Sequence, residues 1–119
     1  MSTFDSWPVY GVAGTAVSGT NTYNSSSITP NGIGDLAWQV RFTGTETGTL
    51  VVQVSNSSDA AIAAGTDTWT TYTLVSLPSI SGAMDFLVKC TRLRGVKRAR
   101  LQYVNATNSG TIFADVVRG

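Results

Sequence analysis

Histidine is absent from this 119-residue chain, and cysteine occurs once, at Cys90. Without histidine there is no Ser-His-Asp triad, no Cys-His pair and no histidine-ligated metal site. A single cysteine excludes an intrachain disulfide and a four-cysteine zinc site. Charge is also scarce: Asp, Glu, Lys and Arg make up 13%, with a net charge of +1. That is about half of ordinary usage, and it leaves no strong global field to attract nucleic acid or an anionic membrane. No apolar run approaches the roughly 18 residues that would span a bilayer. The start, Met1-Ser2-Thr3-Phe4-Asp5, lacks the basic-then-apolar pattern of a secretory signal. At 42% hydrophobic residues, the chain is nonetheless apolar enough to fold. Its length suits one domain with one core.

Threonine, serine and glycine are what the chain has in quantity: 17, 13 and 12 residues. Thr suits pleated, half-buried strands, and Ser and Gly suit turns. In Leu36-Ala37-Trp38-Gln39-Val40-Arg41-Phe42 the large apolar residues fall at every second position. This is the period of a strand with one buried face. Gly48 to Val54 repeats the pattern with Leu50, Val52 and Val54 on one face. The polar stretch Thr43–Thr47 between them reads as a hairpin connection. The layout recurs at Arg98–Tyr103, the turn Asn105–Ser109, and Gly110–Val116. Two similar hairpins in facing sheets are expected.

Further strands are expected over Trp69–Leu77, over Asp85–Cys90 with Phe86, Val88 and Cys90 on one face, and over Thr20–Thr29, closed by Pro30-Asn31-Gly32. An eighth lies around Val12–Val17. Only Asp59–Ala64, stopped by Gly65, suggests a helix, of one or two turns. The fold class is therefore all-β: a single-domain antiparallel β-sandwich or jelly roll of about seven to eight strands. Residues 1–19, with Phe4, Trp7, Pro8 and Tyr10 among small and polar neighbours, read as an extended N-terminal arm ahead of a sandwich at 20–119. The arm either packs its aromatics on its own domain or anchors on a neighbouring subunit.

Chemistry is thinly represented. The carboxylates Asp35, Glu46, Asp59 and Asp67 occupy turn-like contexts, where such groups bond to local backbone. No Asp-x-Asp-x-Asp-Gly calcium loop occurs. Cys90 reads as a buried structural thiol, because no histidine stands ready to activate it. Asn24-Ser25-Ser26, Asn56-Ser57-Ser58 and Asn105-Ala106-Thr107 match the glycosylation acceptor pattern, as chance allows in so Ser/Thr-rich a chain. No catalytic residue, cofactor or metal site is expected, and no enzymatic activity.

The sharpest local feature is basic. Lys89, Arg92, Arg94, Lys97, Arg98 and Arg100 place six of the eight cationic residues in one short window. This suits an interface with an acidic partner or sister subunit. Nucleic acid is disfavoured, because no aromatic residue is interleaved in the window to stack on bases. Arg98 and Arg100 would leave the same strand face. Trp38 reads as core. Trp69 or Tyr72 offers an alternative feature, a stacking platform for a sugar ring, with Trp69, out of phase with Tyr72, the better candidate.

The run Thr45–Asn56, Trp69, Arg100-Leu101-Gln102-Tyr103 and Asn108–Ile112 together resemble small β-sandwich virion proteins of tailed bacteriophages, of the capsid decoration or cement type. The resemblance implies a non-enzymatic role on the outer capsid surface of a virion made in the host cytoplasm, with no catalytic residues to carry over. Its implied partners are the major capsid protein and copies of itself, as a homotrimer, with neither nucleic acid nor membrane. In that setting Phe4, Trp7 and Tyr10 would anchor the arm, and Arg92, Arg94, Lys97, Arg98 and Arg100 would meet acidic patches. The basic window itself matches no pattern of this group. Tail and fibre subunits, or a carbohydrate- or receptor-binding module, are the alternatives.

Overall fold

The computed structural model describes residues 6–30 and 34–118. Among them are ten strands and one short helix: β1 (Ser6–Pro8), β2 (Thr15–Val17), β3 (Thr22–Asn24), β4 (Leu36–Gly44), β5 (Thr47–Ser55), α1 (Asp59–Ala64), β6 (Thr70–Thr71), β7 (Ser79–Ser81), β8 (Met84–Cys90), β9 (Arg98–Thr107) and β10 (Gly110–Arg118). They build an antiparallel β-sandwich. In the first sheet β1 and β2 lie end to end along one edge of β10, followed by β4 and β8. In the second, β3 precedes β9 and β5, and β6 and β7 lie end to end along the far edge of β5.

The period-two faces are as the sequence implies. Trp38, Val40, Phe42, Ile112 and Val116 fill the core from the first sheet; Leu50, Val52, Leu101 and Tyr103 fill it from the second. Phe42 meets Tyr103 across the layers with ring centroids 4.9 Å apart. Cys90 is buried, and burial pushes its thiol up to about 11.

The two expected hairpins do not form. The strands of each pair part at the connecting loop, one entering each sheet, and pair with the strands of the other. β4 runs against β10 from Leu36↔Arg118 to Gly44↔Gly110. β5 runs against β9 from Thr47↔Thr107 to Ser55↔Arg98. The result is one long antiparallel ribbon that folds over at residues 45–46 and 108–109, with a bulge between Thr47 and Gly48. Alternation reports which face a side chain takes, but not which strand lies beside it. A polar loop therefore reads the same whether the chain reverses or turns a corner.

Two other expectations change. Of Trp69–Leu77 only Thr70–Thr71 is strand; the rest loops across to β7. Of Thr20–Thr29 only Thr22–Asn24 is strand, with a lone bridge from Ile28 to Ala99. The turn residues Asn31 and Gly32 lie outside the described residues. The helix forms where expected. Ser58 caps its start by accepting from the Ala61 amide at 3.1 Å, and Gly65 ends it in the left-handed conformation.

Candidate interaction surface

Residues of the expected arm belong to the sandwich itself. Trp7 is a β1 residue opposite Val116, half-buried against the core, with the Arg118 guanidinium 5.7 Å from its ring centroid. Tyr10 is buried, and its hydroxyl donates to the carbonyls of Tyr23 (2.8 Å) and Leu101 (3.3 Å). Desolvation raises its pKa strongly. Its ring therefore serves its own core and is not open to a partner, a correction to the anchoring role expected for it. Phe4 lies outside the described residues.

The basic window divides into two chemically different halves. Lys97 pairs with Asp59 at 2.5 Å and Arg98 with Asp67 at 3.0 Å. These contacts hold both carboxyls below the usual carboxylate range, chiefly through the hydrogen bonds that the cations donate. Arg100 donates to Gln53 Oε1 at 2.9 Å, and desolvation lowers its pKa from the ordinary guanidinium value. Lys89, Arg92 and Arg94 are exposed and make no ion pair among the described residues.

Trp69 is where sequence reasoning fell short. The window contains no aromatic residue, yet the fold carries Trp69 into it. The guanidinium carbons of Arg98 and Arg100 lie 4.7 and 4.0 Å from its ring centroid. Its indole N–H donates to Asp67 Oδ2 at 3.1 Å, the oxygen that also receives Arg98. Arg98 and Arg100 leave the same face of β9, as expected. Cation, ring and carboxylate contact one another, while the buried Arg98 Nε has no hydrogen-bond partner among the described residues. The π-surface that would receive a sugar is already engaged by guanidinium groups. Tyr72, the other candidate for a sugar platform, packs partly against the core. It lines a depression of about 310 Å³ with Leu74, Lys89, Cys90, Thr91 and Arg92, and Trp69 is not part of that depression.

Glu46 is the residue with no signal in the sequence. It sits in the ribbon's bend with 0% of its surface exposed, and among the described residues neither carboxylate oxygen has a partner of hydrogen-bond geometry. Burial raises its pKa above the ordinary carboxyl value; the backbone amides of Glu46 and Thr111 oppose that shift in part. Nearby, Tyr103 donates to Asn105 Oδ1 at 2.7 Å, and desolvation with the Glu46 charge pushes the Tyr103 hydroxyl up to about 12. Asn105 in turn donates to the carbonyls of Gly19 (2.7 Å) and Asn108 (2.9 Å), tying the bend to the loop before β3. Among the described residues no group of three or more carboxylates or thiols is placed to hold a metal ion.

No protein-family profile matches the chain, and no curated protein sequence matches it. A solved structure does match in fold, that of the SPBc2 prophage-derived protein YomS. It superposes with a TM-score of 0.55, covering 98% of this chain and 96% of that one at 11% identity. The two chains share a fold from end to end.

Proposed function

We propose that this chain is a non-enzymatic structural protein of a bacteriophage particle, and that it decorates the outside of the shell as an oligomer. The observation that supports this reading most is the end-to-end likeness of fold to a prophage-derived protein, with neither chain carrying a large part the other lacks. The surface agrees with a binding role. Arg92 and Arg94 are exposed cations with no ion pair among the described residues, suited to an acidic patch on a shell protein. Each such contact is weak alone, and copies held together on a lattice act at high effective concentration. Fold alone does not fix function, so the test is compositional. Quantitative mass spectrometry of purified particles should count this chain in numbers comparable to the major shell protein. A handful of copies moves the protein to the tail or fibre, and absence from particles removes the virion reading. A double substitution, Arg92→Ala and Arg94→Ala, should lower shell occupancy while leaving the fold unchanged by circular dichroism.

A further inference from the structure

Strand β8 closes one side of the first sheet. It pairs with β4, and no strand among the described residues pairs with its other edge. Such an edge offers a row of open N–H and C=O groups. Asp85, Leu87 and Lys89 project to solvent from its outer face, and Leu87 is 51% exposed. Their order is symmetric about the strand's centre. Leu87 is the midpoint of the seven-residue strand, with an acid two residues before it and a base two residues after.

We propose that β8 is a self-complementary edge that pairs antiparallel with β8 of a second copy, about a two-fold axis through Leu87. In that register Leu87 meets the second copy's Leu87, and Asp85 meets the second copy's Lys89, twice over by symmetry. The inner face is served as well. Half-buried Phe86, stacked on Phe42 with centroids 6.5 Å apart, falls opposite Val88 of the second copy, and Met84 falls opposite Cys90. The two cores then meet beneath one continuous sheet.

Charges on an edge ordinarily ward off pairing. Here they select a register instead. Parallel in-register pairing sets Asp85 on Asp85 and Lys89 on Lys89, and an antiparallel slip of two residues sets Leu87 against a charge. Only the two-fold register places opposite charges face to face, the arrangement that favours a cross-strand pair. Both charges are available for it. Asp85 accepts a hydrogen bond from the Gln39 side-chain amide, which does not neutralise it, and Lys89 has no ion-pair partner among the described residues.

Sedimentation equilibrium of the full chain tests this, with charge swaps at two exposed positions where the fold should survive. Wild type should dimerise. Asp85→Lys alone and Lys89→Asp alone each set like charges opposite one another and should weaken the dimer at least tenfold. The double swap restores opposite pairs and should return the dimer to near wild-type affinity. Leu87→Cys, oxidised under mild conditions, should cross-link across the axis. A wild type that stays monomeric, an oligomer indifferent to the single swaps, or a double swap no better than the singles overturns the proposal.

Discussion

Gly110 leaves open the space that the Glu46 carboxylate occupies. A Cβ built at 110 would overlap Glu46 Oε2, in the connection between β4 and β5, and the carbonyl oxygen of Thr43, on β4. The bend thus depends on a glycine at the start of β10 and a buried acid in the turn between β4 and β5. Gly110→Ala should destabilise the protein by about 3 kcal/mol, at the upper end of the cost of overpacking, because backbone cannot swing aside as a flexible side chain can. Urea unfolding measures this, and a loss below about 0.5 kcal/mol would show that the bend relaxes freely.

The same acid should make stability depend on pH. Glu46 has a pKa raised in the folded state, so its contribution is fully present below the unfolded carboxyl value. That contribution is lost as pH rises through the folded value, because the unfolded chain releases the proton more readily. Glu46→Gln keeps the shape and removes the titration. It should match wild type near pH 4 and exceed it in stability at pH 8. Equal stability of the two proteins at both pH values would mean that the buried carboxylate is solvated after all.

Much of this fold was legible in the sequence, and the reason is local. Alternation in Leu36–Phe42, Gly48–Val54 and Arg98–Tyr103 is dictated by which side of a strand faces the core, and it named the buried residues correctly. Ser58 and Gly65 mark α1 by short-range chemistry. What escaped was set by distant pairings. Nothing near Thr43–Thr47 says that the chain turns a corner and pairs with β9 and β10, some 60 residues on. The same distance hid the Trp69 stack, because β5 and β9 must first lie side by side before the segment after α1 can reach Arg98 and Arg100. Glu46 was hidden by its type: a glutamate in a polar, glycine-flanked loop looks exposed.

Tyr10 gives a prediction that separates a core residue from a docking anchor. Tyr10→Phe removes only the hydroxyl that donates to the Tyr23 and Leu101 carbonyls, and should cost about 1 kcal/mol. Tyr10→Ala also opens a cavity and should cost about 3–5 kcal/mol, as large aromatic truncations do. Both losses should appear in the isolated chain by thermal or chemical denaturation. Unchanged stability of Tyr10→Ala would return the residue to an interface role.

The Trp69 cluster should behave as a unit. Trp69→Ala removes the ring beneath Arg98 and Arg100 as well as the indole donor to Asp67, and Asp67→Asn removes the charge that Arg98 meets. Each single substitution should cost about 1 kcal/mol, the range of partly exposed cation–π and charge-assisted contacts. Because Asp67 Oδ2 receives both the indole and the guanidinium, the two losses should overlap rather than add. A double-mutant cycle between positions 67 and 69 should therefore give a coupling of at least 0.5 kcal/mol. Full additivity would mean that ring and carboxylate hold Arg98 independently. In that case removing the carboxylate would leave the ring's hold on Arg98 intact, and the face of β9 would present separable contacts.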